Sequence, residues 1–453
     1  MLKNILQIVF KSFILLVPFL LTVRLSFTYC VLLPALLIFI IGYFHELVEL
    51  YKSNTLIKYL HIFLFVAFVS SSFGLNSGDS YRGLSSLFLY SFSILLFEWG
   101  TLSLGPQKLI YSVLLGQTLM GVHSLLESGS SYPIPRVFIG AVTESGQIAL
   151  TLPLGCALIV YLSRKYDISL KNNKKILIPL IASIFIISLI AFARFMTIPS
   201  YIFWVATGVL LVVVLKSMYD FIKYLLTKRQ PFSETRFWQK SMSVIFLVCL
   251  PVIFFALLAN LKRGPWFGVF IALTILFSFY RKKIAWSLCL IIPCIILSVT
   301  PLRERLQNSF EDFNISGGRN IMWQVGGELA TRYPLGIGFA NSEYQQKFAA
   351  EIPTSHRHFH NNFINILVEC GWIAFFAFIF WLIKIFQATF FHKISSPERI
   401  LQVGCGCSVV AMFCAGFVEY NFGDSEVLLL LFFILGILSA LIKKKETDTS
   451  LMS

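Results

Sequence analysis

The sequence predicts an all-α polytopic membrane protein with about 14 transmembrane helices (12–14), and three observations carry that prediction. Of 453 residues, 57% are hydrophobic and only 13% are charged, with a mean hydropathy of +0.79. A soluble chain would carry roughly twice that charged fraction. Apolar blocks of roughly 16–25 residues follow one another from Leu2 to Ile442, each near the ~20 residues a helix needs to cross a bilayer. The blocks also run without the alternation of a membrane barrel, which leaves helices as the way to satisfy the backbone. This composition excludes a soluble enzyme, a nucleic-acid-binding protein and a disulfide scaffold as descriptions of the whole chain. The net charge of +15 reports topology first, and only then a preference for anionic lipid or ligand.

In chain order the expected spans are 4–23, 26–45, 59–75, 84–103, 109–126, 147–163, 176–193, 199–217, 241–260, 265–280, 284–300, 361–383, 400–418 and 426–442. No small-residue cleavage site follows the first block, so it reads as a retained span. The chain thus divides into 1–300 with the first eleven helices, a long loop at 301–360, and 361–453 with the last three helices and a tail. Most Lys and Arg fall on one side when both termini are cytoplasmic, including Arg281-Lys282-Lys283 and Lys443-Lys444-Lys445, as the positive-inside rule requires. All nine cysteines lie in or at the ends of apolar blocks. The loop therefore has no disulfide, and Cys405 and Cys407 read as small helix-packing residues.

No nucleotide-binding G-x-x-x-x-G-K-[ST], no H-E-x-x-H and no G-x-S-x-G occurs, and the six Asp residues form no D-x-D pair. The chemistry concentrates in the second half. The loop at 301–360 is too long for a mere connection and should fold as short helices over the membrane face. Pro334, Gly336 and Gly338 read as a turn or hinge within it. His360-Asn361 precedes an apolar run, so Asn361 should cap a helix and His360 should sit at its N-terminus. There His360 is either a neutral general base or a hydrogen-bonded interfacial residue. His356, His358 and His360 could face one another in an extended segment, but Arg357 between them and the lack of a neighbouring carboxylate or cysteine argue against a metal. Lys262 and Arg263 are adjacent cations without a sequence-neighbouring carboxylate. They either hold an anion, for which the Arg fork suits phosphate, or snorkel to headgroups. Arg194 has the same two readings. Glu369 and Glu98 lie inside spans and read as structural, through an interhelical hydrogen bond or a pair with a basic residue.

Three stretches together resemble the O-antigen ligase/polymerase superfamily. These are Lys262-Arg263-Gly264-Pro265-Trp266, then Gly318-Arg319-Asn320-Ile321-Met322-Trp323 followed by Tyr333-Pro334-Leu335-Gly336-Ile337-Gly338, then His360-Asn361 with Gly371 after nine residues. The resemblance implies a GT-C-like glycosyltransferase of the bacterial inner membrane, with 301–360 as a periplasmic catalytic loop. Such enzymes take a glycan from undecaprenyl diphosphate, with no nucleotide sugar, no cofactor and no essential metal. For the ligases the acceptor is the lipid A–core oligosaccharide, and for the polymerases it is another repeat unit. By matching position, Arg263 and Arg319 would bind diphosphate and His360 would act as base, with Lys262, Asn361, Arg357 and Glu369 in support. The pair of spans at 176–217 exceeds the usual layout of the superfamily. Polymerases are often described with R-x10-G motifs, and no arginine on the expected outer side has Gly eleven residues later. The resemblance therefore favours a ligase, ahead of a polymerase and of a protein O-oligosaccharyltransferase. A non-enzymatic transporter or flippase would need more charges deep in the spans than this chain has.

Overall fold

The computed structural model describes residues 2–129, 141–166, 200–226, 234–280, 282–315, 318–349, 352–353, 356–392, 394 and 397–450. Every described element is helical. The helices are α1 Leu2–Val23, α2 Leu25–Gly42, α3 Phe44–Ser53, α4 Thr55–Ser71, α5 Ser77–Ser91, α6 Ser93–Leu104, α7 Pro106–Gly129, α8 Ala141–Lys165 and α9 Ser200–Leu226. They continue with α10 Glu234–Val244, α11 Leu250–Ala259, α12 Arg263–Tyr280, α13 Lys282–Ser298, α14 Thr300–Gln307, α15 Ser309–Asn314, α16 Arg319–Arg332, α17 Asn362–Phe386, α18 Glu398–Ala415 and α19 Ser425–Ser450.

Among the described residues nine helical stretches are long and apolar enough to cross a membrane, or ten if the α3–α4 pair, bent by 83°, is one broken span. The expected blocks at 4–23 and 284–300 correspond to α1 and α13. The span at 176–193 and Arg194 lie outside the described residues. The chain is a multi-pass membrane protein, since an unbroken series of apolar helices has no other solvent in which to expose Ile41, Trp286, Leu290 and Phe391.

The centre of the bundle is α19, whose residues from Val427 to Leu438 are almost all fully buried. A helix apolar all round must be enclosed by others. It packs on α6, while α8 and α12 clasp α18, α1 packs on α7 and α4 on α17. Small residues permit these approaches. Cys405 and Cys407 are buried free thiols within α18, as expected of packing residues. Glu98 is buried and accepts a hydrogen bond from Asn54 Nδ2 at 2.6 Å, the interhelical contact expected of it.

The long loop folds as anticipated into short helices, α14 to α16, and a 3₁₀ turn at Ser342–Lys347. It has a small core of its own. Met322, Val325 and Leu329 of α16 bury against Ile337, Phe359 and Val368, which seats the loop on the first half of α17.

The α17 span is not one continuous helix. It breaks at Gly371, where φ is 75° and ψ 175°. The segment Pro334–Gly338 enters the break, so the expected turn is a wedge. Ile337 N donates to Val368 O at 2.9 Å, Gly338 N to Glu369 O at 2.9 Å, and Trp372 N to Pro334 O at 3.0 Å. Gly336 has φ 89°, and a Cβ there would collide with the Glu369 carbonyl; a Cβ on Gly371 would collide with Leu335. Both positions require glycine by conformation and by space. Gly371→Ala and Gly336→Ala should each lower the thermal midpoint of the purified protein, with backbone strain alone costing about 1–3 kcal/mol. Gly327→Ala, within α16 and with a Cβ that would meet open space, should hold or slightly raise it. Equal melting of all three would overturn this account.

Candidate active site

Asn361 caps α17 as its position before the apolar run suggested. Its side-chain oxygen accepts from Phe363 N at 2.8 Å and Ile364 N at 3.1 Å. Its Nδ2 donates to Phe417 O at 2.9 Å, which ties the start of α17 to the turn that leaves α18. That turn carries Glu419.

Three sequence-predicted cations converge beside it. Lys262, Arg263 and Arg319 line one cavity of about 420 Å³, together with Arg305, Ser309 and Glu419. Lys262 and Arg263 stand where α11 gives way to α12, after Leu261 at φ 53°. Arg263 Nη1 donates to Arg305 O at 3.1 Å and to Ser309 Oγ at 2.7 Å, fixing α14 and α15 over the cavity. Arg319 opens α16, and its Nη2 lies 3.1 Å from Glu419 Oε1. Its Nε is buried with no acceptor. A buried guanidinium donor left unsatisfied is costly, so the geometry invites an anionic ligand. Lys262, Arg263, Arg305 and Arg319 line the cavity beside Glu419, which gives it a mainly cationic wall.

His360 reaches the same carboxylate. Its Nδ1 is 3.5 Å from Glu419 Oε2, an ion-pair contact that is long for a hydrogen bond. Its Nε2 is 3.2 Å from His356 Nδ1. His360 itself has φ 50°, a left-handed conformation uncommon outside glycine and several-fold enriched in Asn, Asp and His. His360 N donates to His358 Nδ1 at 3.2 Å, and the two rings meet at 4.2 Å. Burial, with a lesser contribution from His360, pushes His358 down to about 4. Burial and the charges of His360 and Arg319 also lower His356. Both flanking histidines are therefore neutral at pH 7. Burial raises the Glu419 carboxyl, but contact with His360 and the charges of Arg319, His360 and Lys262 together outweigh it and hold Glu419 below the ordinary carboxylate value.

Two predicted residues stand elsewhere. Arg357 is exposed, and its carbonyl accepts from Ser342 Oγ at 2.8 Å. Glu369 is fully buried beneath the loop and accepts from Ser342 N at 3.2 Å. The loop backbone at Ser342 is thus among its partners. Glu419, Arg305 and Ser309 escaped sequence reasoning. A signal did exist for Glu419, a carboxylate at the end of an apolar block on the side where the unpaired cations were expected. Among the described residues no group of three or more His, Cys, Asp or Glu side chains is arranged to hold a metal ion.

Residues 245–379 match the family model O-Antigen ligase. That match supports assigning the chain to the O-antigen ligase family. No curated protein matches the chain. The O-antigen ligase segment contains Arg263, Arg319, His360 and Gly371, whereas Glu419 lies beyond it. The apolar helices make this a multi-pass membrane protein, and the family match lies in its second half.

The lowered Glu419 fixes a pH window. Ionised Glu419 should contribute stability that is fully present above the ordinary carboxylate value, about 4.3, and lost as pH falls through its lower folded value. Glu419→Gln should therefore destabilise by about 1.5–3 kcal/mol near neutrality, as for hydrogen bonds to charged groups. Thermal midpoints of the two proteins should converge below about pH 4. A gap that persists undiminished to pH 3 would contradict the pairing.

Proposed function

We propose that the chain transfers an O-antigen glycan from undecaprenyl diphosphate to the lipid A–core oligosaccharide, on the periplasmic face of the bacterial inner membrane. The observation that carries this reading is the convergence of Arg263, Arg319 and His360, from three separate stretches, around one carboxylate and one cationic cavity. The reading takes 301–360 as the catalytic loop of a GT-C-like arrangement with about 14 spans.

In this mechanism Arg263 and Arg319 hold the diphosphate, with Lys262 adding charge. Glu419 faces His360 Nδ1 and keeps the proton there, which leaves Nε2 as the basic nitrogen. The acceptor hydroxyl replaces His356 at Nε2 and gives up its proton to it. The hydroxyl oxygen forms the new bond to the anomeric carbon as the sugar–phosphate bond breaks. The electron pair of that bond passes to the departing diphosphate oxygen, where fixed guanidinium groups stabilise it. The imidazolium so formed is stabilised by Glu419. Attack opposite the leaving group inverts the anomeric centre, and no step calls for a metal. The absence of R-x10-G favours ligase over repeat-unit polymerase.

Purified protein assayed with a lipid-diphosphate glycan and either lipid A–core or a second repeat unit tests this directly. Transfer should require lipid A–core, survive EDTA and give an inverted linkage by NMR. His360→Ala should abolish transfer at normal membrane abundance. Arg263→Lys should lose about thirty- to a thousand-fold in rate, since an ammonium lacks the bidentate fork, while Lys262→Arg stays near normal. Wild-type transfer by His360→Ala would remove the base, and near-equal rates in the two cation variants would reduce Arg263 to a membrane anchor.

A further inference from the structure

A second cavity, of about 610 Å³, lies between α1, α7 and α9. It sits toward the opposite end of the bundle from the candidate site. Leu21 O accepts from Gln147 Nε2, and Gln147 is one turn from Glu144, which binds Asn260 beside Lys262. The C-terminal end of α1 is therefore the site end. Lys11 lies ten residues earlier, or ~15 Å along the axis. Helix α7 runs the same way, since Ser124 near its C-terminus bonds Glu144. Lys108, in its first turn, is thus at the far end too.

The two lysines come from different helices and line the same cavity, whose lining holds no carboxylate. Lys108 Nζ stands 5.6 Å from the centre of the Tyr224 ring. Glu234, which shares the field of Lys108, is engaged by Tyr166 Oη at 3.0 Å. Leu15, Leu16, Phe19 and Phe221 supply an apolar wall. The volume falls within the ~300–1,000 Å³ of small-ligand sites. Two like charges in an apolar groove between membrane helices repel each other, and a phosphate between them would relieve that repulsion where Glu234, outside the lining, only partly offsets Lys108. The apolar wall asks for a hydrocarbon chain attached to that anion. A zwitterionic headgroup would bring its own cation against the lysines.

We infer that this cavity binds an anionic phospholipid of the surrounding bilayer, with the phosphate between Lys11 and Lys108 and an acyl chain along the Leu15–Phe19 face. Basic pockets between membrane helices suit such headgroups. The inference does not depend on the transfer reaction, and neither lysine belongs to the candidate active site.

Native mass spectrometry of the full-length protein in detergent, titrated with dioleoyl phosphatidylglycerol or dioleoyl phosphatidylcholine, tests it. The wild type should retain the anionic lipid at a concentration at least about tenfold lower than the zwitterionic one. Lys11→Gln combined with Lys108→Gln should bring the two within about twofold of each other, with the lipid-free thermal midpoint unchanged. If the double variant does not fold, each single variant should lose part of the preference. A diazirine-tailed phosphatidylglycerol should crosslink the wild type within the peptide that spans Leu15 to Phe19. Inorganic phosphate should not displace the bound lipid. Equal retention of both lipids by the wild type, an undiminished preference in the variants, crosslinks confined to other helices, or displacement by phosphate alone would each overturn the inference.

Discussion

The wedge of Pro334–Gly338 into the break of α17 is the constraint on which the rest of the active end depends. A helix that breaks within an apolar span frees carbonyls that lipid cannot satisfy. Here Val368 O and Glu369 O take their hydrogens from Ile337 and Gly338, and Trp372 returns one to Pro334. The loop and the span therefore complete each other's backbone. Ser70 of α4 joins them, its hydroxyl 2.7 Å from Cys370 O. Because α16 ends at Arg332, directly before the wedge, the anchoring also sets where α16 begins and hence where Arg319 stands. The spacing of His360-Asn361 to Gly371 acquires a physical meaning. It is the length of one helical segment from its cap to its break, with the base candidate at one end and the loop anchor at the other.

The electrostatics follow from that scaffold. Arg319 and His360 approach the two oxygens of Glu419, at 3.1 and 3.5 Å. Lys262, Arg263, Arg305 and Arg319 share one cavity wall with this partly buried carboxylate. Were the cluster purely structural, its donors would be matched by acceptors, because an unsatisfied buried donor costs about 1–3 kcal/mol. The orphaned Nε of Arg319 is the clearest departure from that rule. Two of the three non-glycine residues with positive φ among those described, Leu261 and His360, flank the same cavity. Strain of that kind persists only where the surroundings over-determine it, and it clusters at functional sites.

Much of this was legible in the sequence, and the failures have definite causes. The all-helical membrane class follows from composition and block length, and the Asn361 cap from one polar residue before an apolar run. The short loop helices follow from a loop too long to be a simple connection. Hydropathy counts apolar residues but does not register a bend. It could not tell that Phe44–Ser53 and Thr55–Ser71 meet at 83°. Gly371 was visible as a motif position, but its left-handed φ depends on a segment more than thirty residues earlier in the chain. Glu419 was missed for the same reason. It follows His360 by 59 positions, and only the packing of α18 against α12 carries its turn to Lys262 and Arg319. Glu369 drew attention as an intramembrane carboxylate, and the loop backbone at Ser342 is among its partners, a contact no pairing rule for spans anticipates.

The position of His360 couples three tasks in one residue. Its left-handed backbone turns the chain just before the Asn361 cap, its N–H is held by neutral His358, and its ring bridges His356 and Glu419. The ring is therefore oriented from the backbone outward and does not depend on the ligand to arrive at its place. Of its two ring contacts, the one to Glu419 is tied through Asn361 Nδ2 and Phe417 O to the same helix start, so it moves with His360. His356 lies on the far side of the histidine run, in the more exposed segment, and is bound to the loop through its carbonyl, which accepts from Gln345 and Gln346 at 3.1 and 3.0 Å. The contact between imidazoles is the weaker constraint, because a hydrogen bond between two rings lacks the charged carboxylate that the Glu419 side supplies. A hydroxyl entering the site would thus displace His356 sooner than Glu419, and the nitrogen it uncovers is Nε2. The asymmetry of the two ring contacts is what gives the site a direction.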